Sequence, residues 1–146
     1  MNRLATAAAA ILALIVAAGA APTAAWAGTI DLTLDGVQAK GGKILVTVQS
    51  RDQYMQRAQT SGAILDGSVN GQVKVALPNV PAGDYAISVL HDADSNWTMT
   101  SGPDGRPAEG WSTVNAASLR AKPTFDQVKV SVNGDAAVTE TMIYPK

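Results

Sequence analysis

The strongest constraint on the fold is a period of two among the apolar residues of several short segments. In the first of them, Ile30, Leu32 and Leu34 alternate with polar residues, which places the apolar side chains on one face of a strand. Short strands with no long helix between them predict antiparallel sheets packed as a β-sandwich. The same alternation marks four later segments: Ile44, Val46 and Val48; Val73, Val75 and Leu77; Tyr85, Ile87 and Val89; Val128, Val130 and Val132.

The residues between and after these segments predict how the strands connect. The prolines and glycine of residues 78–83 exclude regular structure there. The dipeptide Asn133-Gly134 favours a hairpin, so we expect it to join the last two strands. For the final strand, residues 136–144, two alternating sets compete for the inward face: Val138, Met142 and Tyr144, or Ile143.

Two segments predict short helices. Residues 51–59 could form one or two helical turns with Asp52 as the N-cap. Residues 115–122 could form a helix that Asn115 caps and Pro123 stops. The second segment belongs to a polar connection, residues 91–125, and a connection of that length in a compact domain is usually functional or mobile.

The N-terminus has the three parts of a secretory signal peptide. Arg3 is followed by an Ala-rich apolar run and then by the small-residue site Ala25-Trp26-Ala27. We expect cleavage after Ala27, which leaves a single domain of residues 28–146 in the periplasm or outside the cell. The alternative is an uncleaved membrane anchor, because the run approaches the roughly 20 residues that span a bilayer. We expect no membrane span after it.

Composition removes several classes of function. The chain has no cysteine, which excludes a disulfide framework, a thiolate nucleophile and a zinc finger. It has 11 Lys+Arg against 12 Asp+Glu, so it lacks the basic excess with which proteins neutralise phosphates. Nucleic acid is therefore not an expected partner.

Four motifs follow one another in the polar connection: HDADSN at 91–96, GRPAEGWS at 105–112, Asn115-Ala116, and PTFD at 123–126. Together they resemble a family of secreted bacterial proteins, domain of unknown function 2141. The segment PAGDYAI at 81–87 also resembles a hairpin of that family and of transthyretin-like and carboxypeptidase-regulatory-like sandwiches. The resemblance covers nearly all of residues 28–146. It implies a transthyretin-like or immunoglobulin-like antiparallel β-sandwich with one long ordered loop, in a secreted protein, and it implies no activity.

One candidate site is a cation loop. Asp92, Asp94 and Asn96 have the alternating oxygen spacing with which a loop binds calcium. Family members tend to have Gly after the last Asn of this run, but here Trp97 stands there. The alternative is an Asx-turn, in which these side chains bind nearby backbone groups without metal. We expect no cofactor unless calcium binds here, and Asp104 or Glu109 would be a more distant ligand.

A second candidate is a small hydrolase. His91 could act as a general base, with Ser95 or Ser112 as nucleophile. Asp92 is a poor partner for it, because adjacent residues of an extended chain point to opposite faces. Pairs of loop carboxylates also have the chemistry of glycoside hydrolysis, but that reaction needs a set separation, which the sequence does not give. A structural role for His91 and the carboxylates is the favoured interpretation.

A third candidate is a binding surface on the loop. Trp97 and Trp111 would form a platform for sugar rings or an apolar partner if exposed, or a small core if buried. We therefore expect a non-catalytic binding or interaction module whose partner is an envelope glycan or a protein. Its candidate binding residues are His91, Asp92, Asp94, Asn96, Trp97, Glu109, Trp111 and Asn115.

Overall fold

A computed structural model describes residues 26–146 of the chain. The first 25 residues of the predicted signal peptide lie outside the described residues. The described part consists mainly of strands: β1 (Gly28–Val37), β2 (Lys43–Gln49), β3 (Ser61–Asp66), β4 (Gly71–Val80), β5 (Gly83–Asp92), β6 (Gly110–Thr113), β7 (Lys129–Val132) and β8 (Ala136–Thr141). A 3-10 helix (Ala116–Ser118) and the four-residue helix α1 (Phe125–Val128) lie between β6 and β7. None of the helices within residues 26–146 is long and apolar enough to cross a membrane.

The strands form two packed sheets, as the alternation predicts. One sheet has three strands in the order β4-β1-β8. The other has five strands: β3, β2, β5 and β6 are neighbours in that order, and β7 pairs with the first half of β5, on the edge whose second half pairs with β6. The inward residues of both sheets make one apolar core, which includes Ile30, Leu32, Ile44, Val46 and Ile87. The predicted all-β sandwich is therefore confirmed.

The chain ends by passing from one sheet to the other. Strand β8 pairs with β1, and this is the parallel pair among the described strands; the others are antiparallel. Beyond β8, the N–H of Met142 still binds Asp35 of the first sheet, whereas Ile143 exchanges two backbone hydrogen bonds with Trp111 of the second. Met142 points into the core, and Ile143 lies on the opposite side of the chain.

One predicted connection is wrong, and the break predicted at residues 78–83 is confined to residues 81–82. Asn133-Gly134 does not form a hairpin, because β7 pairs with β5 in one sheet and β8 pairs with β1 in the other. Gly134 has φ 87°, and the dipeptide turns the chain between the sheets. Strand β4 also continues through Pro78 to Val80. Proline is tolerated there because β4 is an edge strand that pairs with β1 alone, so an N–H on its open side is not needed.

The predicted helices are also shorter than expected. Residues 51–57 form successive turns instead of a helix, and Met55 has φ 60°, which a right-handed helix cannot contain. Near Asn115 the helix is a three-residue 3-10 turn, and the Asn115 side chain does not cap it. Val128 ends α1 rather than lying in a strand, and it packs with Phe125 over Ala86 on the outer side of β5.

Candidate functional site

The loop between β5 and β6, residues 93–109, is fixed at its start by one buried carboxylate. Asp92 is fully buried, and its two oxygens accept the backbone N–H groups of Asn96 and Trp97, each at 3.0 Å. Hydrogen bonds to an ionised carboxylate are shorter and about twice as strong as neutral ones. Asp92 therefore holds the first turn of this loop against the end of β5.

A second buried carboxylate fixes the other end of the loop. Glu109 is buried, and its two oxygens accept the N–H groups of Ala93 and Thr100, each at 3.0 Å. The sequence suggested Glu109 as a candidate binding residue and as a more distant metal ligand, because nothing in the spacing shows that the loop returns it to Asp92. Together the two carboxylates make the loop an ordered part of the fold.

The same carboxylates are the one group of potential metal ligands found within residues 26–146. One oxygen each from Asp92, Asp94 and Glu109 lies within 4.8 Å of the others. Asn96, which the sequence placed in this set, donates its amide N–H to Asp94 at 2.8 Å, and its oxygen accepts from Thr98. Every oxygen of the two buried carboxylates already accepts a backbone N–H, which is the Asx-type arrangement that the sequence offered as the alternative to a cation.

Trp97 is presented to solvent at this loop. Its side chain is 53% exposed, and its backbone has φ 64°, in the left-handed region that bulky residues rarely adopt. The hydrogen bond from its N–H to Asp92 stabilises that conformation. The Lys43 ammonium lies 4.3 Å from the centre of the indole ring, a cation–π contact that holds the ring beside the sheet.

Trp111 lies outside the core, on the outer face of the five-stranded sheet. It pairs with Leu90 on one side and with Ile143 on the other. Across the next strands, Leu90 pairs with Leu45, and Leu45 pairs with Ile64. Residues paired across strands share a face, so these side chains form one line across the sheet. We call this line the apolar row: Ile64, Leu45, Leu90, Trp111 and Ile143.

The two sheets differ in their outer faces. On the three-stranded sheet the matching outward line contains Lys74, Thr33 and Thr139, all polar. On the five-stranded sheet the matching line is the apolar row, of which the edge residue Ile64 is 61% exposed and the other four residues are partly buried. The alternation of apolar and polar residues, which predicts a polar outer face, therefore fails at this line. The sequence shows this failure as two apolar residues in succession, as in Val89-Leu90 and Ile64-Leu65.

His91 is buried, and both of its ring nitrogens have hydrogen-bond partners. Its ring is 1% exposed; Nε2 lies 2.9 Å from the Gly41 carbonyl and Nδ1 lies 2.8 Å from the Tyr144 hydroxyl. A carbonyl only accepts, so Nε2 carries the proton; the Tyr144 oxygen accepts the Gln38 N–H at 3.0 Å and donates its own hydrogen to Nδ1. Both ring nitrogens are thus occupied by groups other than Asp92.

The contact between His91 and Tyr144 depends on a close approach of the backbone at Gly110 to the Tyr144 ring. A Cβ at Gly110 would lie 2.3 Å from the Tyr144 ring, so a residue with a side chain would displace the tyrosine. A cavity of about 160 Å³ adjoins His91, Tyr144 and Glu109. The serines proposed as nucleophiles are not at this ring: Ser112 donates to the Thr141 carbonyl at 3.0 Å, and Ser95 lies exposed in the loop.

Two other sequence candidates lie apart from these groups. Asp104 is at the tip of the loop, where it accepts the Arg106 N–H at 3.1 Å. Asn115 follows β6 and has φ 60°; its amide donates to the Gln127 carbonyl at 3.3 Å beside an open cavity of about 420 Å³. The structure therefore brings together Asp92, Asp94, Asn96, Trp97 and Glu109, and it leaves Asp104 and Asn115 outside that group.

One buried acid was missed by the sequence analysis. Glu140 lies on the inward side of β8, is 3% exposed, and neither of its oxygens has a hydrogen-bond partner. Burial raises the pKa of this carboxyl to about 7, and the nearby Ser112 hydroxyl opposes the increase. The alternation Val138, Glu140, Met142 places Glu140 inward, which was the signal available in the sequence.

Fold and loop together define a class: a two-sheet β-sandwich with an ordered loop pinned by buried carboxylates, a solvent-facing tryptophan, and an apolar line across one outer face. Residues 32–140 match the model of the family described as "Uncharacterized protein conserved in bacteria (DUF2141)". The chain belongs to this family, as its motifs indicated. No curated protein and no solved structure matches it.

Proposed function

We propose that this protein is a non-catalytic binding module of the bacterial cell envelope, exported by its N-terminal segment, and that it binds its partner through the loop of residues 93–109. The observation that carries the proposal is the display of Trp97. Left-handed backbone is costly for a tryptophan, and two buried carboxylates hold the loop that presents this residue, which is 53% exposed.

The contacts of His91 support a binding role over the hydrolase alternative. Its ring is buried, one nitrogen donates to the Gly41 carbonyl, and the other accepts from Tyr144. A general base must reach the proton that it removes. Here the accepting nitrogen is closed off by a tyrosine that also holds the backbone of Gln38.

Export is tested by producing the full chain in a bacterium, separating periplasm, membranes and medium, and measuring the mass of the product. We expect a protein that begins at Gly28, in the periplasm or the medium. A product that keeps residues 1–27 and remains with the membranes would contradict the cleavage and support the anchor.

Binding is tested by sedimentation of the purified protein with insoluble envelope material, namely peptidoglycan sacculi and outer-membrane fragments in separate tubes. We expect the wild-type protein in at least one pellet. Trp97→Ala should lower the affinity about tenfold, because it removes an aromatic contact that contributes roughly 1.4 kcal/mol to binding. The matched control is Met55→Ala, which removes a side chain that is 49% exposed in the turns after β2. Equal retention of both variants would contradict the role of the loop.

A further inference from the structure

The connection between β6 and α1 curves around an open cavity of about 420 Å³. Sites that hold small ligands have volumes of roughly 300–1,000 Å³, so this cavity is large enough for one. Two of the four sequence motifs, Asn115-Ala116 and PTFD at 123–126, lie at the two ends of this connection. The loop that presents Trp97 contains neither motif, so the proposed binding role leaves both without an assignment.

Hydrogen bonds hold the two ends of this connection together. The Asn115 side chain donates to the Gln127 carbonyl at 3.3 Å, and the Thr124 N–H donates to the side-chain oxygen of Gln127 at 2.9 Å. The Tyr54 hydroxyl, from the turns after β2, donates to the Pro123 carbonyl at 3.2 Å. The cavity is therefore formed before a ligand binds, which lowers the entropic cost of binding.

The cavity carries positive charge that the protein does not neutralise. Arg120 and Lys122 line it, both residues are exposed, and none of the described residues that line it is acidic. Among the ion pairs of the described part of the chain, none includes either cation. Asp126, the nearest acid along the chain, is paired with Arg51 and Lys129. An accessible cavity with two unpaired cations and no carboxylate attracts an anion.

The free donors of the two cations determine the chemistry of that anion. Nη1 of Arg120 donates to the carbonyls of Ala117 and Leu119 at 2.9 and 3.1 Å, which holds the guanidinium at the loop. Its Nε and Nη2 and the Lys122 ammonium have no protein partner within the described residues. A guanidinium edge with two free donors binds a carboxylate or a phosphate through two parallel hydrogen bonds.

The cavity is far larger than a single carboxylate or phosphate group, so the ligand also has an organic body. That body lies against both polar and apolar residues, which include Ser118 and Leu119. We infer that the connection between β6 and α1 is a second binding site, which takes a small organic anion and binds its carboxylate or phosphate through Arg120 and Lys122. The site and the loop of Trp97 lie at opposite ends of β6, which spans about 10 Å, so this inference goes beyond the proposed function.

The experiment is an NMR and calorimetric titration of the purified protein with glucose 6-phosphate, glucuronate, glucose and inorganic phosphate at one ionic strength. We expect at least one of the two organic acids to bind and to shift the amide signals of residues 115–127; the tighter acid identifies the anionic group. Glucose lacks that group and should bind at least about tenfold more weakly. Inorganic phosphate should bind more weakly than the tighter acid, because it leaves most of the cavity unfilled. The affinity should fall as salt is added, since exposed ion pairs are screened.

Variants assign the binding to the two cations. Arg120→Gln should lower the affinity for the tighter acid at least about tenfold, because it removes charge-assisted hydrogen bonds. Since Arg120 also holds two carbonyls of its own loop, Lys122→Gln is the second variant, and it should lower the affinity about threefold without moving the loop. The control Arg106→Gln removes an exposed cation from the other loop and should bind like the wild type.

Several results would overturn the inference: that neither acid binds, that glucose binds as tightly as the acids, or that Arg106→Gln weakens binding as much as the two cavity variants do. Inorganic phosphate that binds as tightly as the tighter acid would also overturn it, because the cavity would then recognise a free ion only. The proposed binding role fails by a different result, namely sedimentation with envelope material that Trp97→Ala leaves unchanged. Either proposal can therefore stand when the other fails.

Discussion

The carboxylate of Asp92 accepts the backbone N–H of Trp97 at 3.0 Å, and this bond links a fully buried acid to the most exposed aromatic ring of the loop. The other oxygen accepts the Asn96 N–H, so a single side chain fixes two consecutive residues. The conformation with φ 64° at Trp97 is thereby fixed by a buried side chain at the end of β5. The exposure of the indole is consequently a property of the fold.

Replacing Asp92 by Asn tests this link. The amide oxygen can still accept one N–H, but the NH₂ group faces the other N–H donor and cannot accept it. We therefore expect the free energy of unfolding to fall by about 1.5–3 kcal/mol, the contribution of one charge-assisted hydrogen bond. Urea denaturation measures that loss, and amide exchange at Trp97 should become faster. The control is Asp94→Asn, an exposed carboxylate in the same turn. Equal losses for both substitutions would show that the buried acid has no special role.

Calcium should not stabilise this protein. The oxygens of Asp92 and Glu109 already accept four backbone N–H bonds between them, and Asp94 accepts from Asn96. A thermal melt with millimolar calcium and then with excess chelator should therefore give the same midpoint. A site occupied at 100 times its dissociation constant would add about 2.7 kcal/mol of stability. A shift of that size, lost in Glu109→Gln, would establish the cation loop instead.

The hydroxyl of Tyr144 should contribute to stability through His91. Tyr144→Phe leaves the buried His91 Nδ1 without this partner, and an unsatisfied buried group costs about 1–3 kcal/mol, whereas water can replace the hydroxyl at the exposed Gln38 N–H. Chemical denaturation should show the loss, with Tyr54→Phe as the control, since that hydroxyl makes one longer bond of 3.2 Å to Pro123. Nitrogen NMR of the wild-type ring should show the proton on Nε2. A proton on Nδ1 instead would contradict the derived direction of these bonds.

The sequence predicted those strands whose alternation is long. β1, β2, β4 and β5 each contain three or more inward apolar residues, and the structure has a strand at each. β3 and β6 were missed, because β6 has four residues and β3 carries an outward Ile64 that disturbs the period of two. A local pattern cannot detect a strand that its neighbours, rather than its own residues, make favourable.

Pairing between distant segments was beyond the sequence for a different reason. Asn133-Gly134 has the same local preference in a hairpin and in a turn between sheets, and only the pairing of β7 with β5 and β8 with β1 distinguishes them. The return of Glu109 to the N–H of Ala93 spans a sequence separation of 16 and depends on the path of the residues between them. The polar connection was predicted as one segment, residues 91–125, but β6 divides it, and the contacts of its first part, residues 93–109, arise from the packed fold.

The buried acid Glu140 gives the protein a stability that depends on pH. Its pKa is raised from 4.5 to about 7 in the folded protein, so between these values the folded state holds a proton that the unfolded state has released. Stability is then fully present below about pH 4.5 and falls as pH rises through about 7, by up to about 3 kcal/mol. Urea denaturation from pH 4.5 to 8 should show this decrease. Glu140→Gln cannot ionise and should lose most of the slope, whereas Asp31→Asn, at an exposed position of β1, should keep it. A slope that persists in Glu140→Gln would assign the pH dependence to another group.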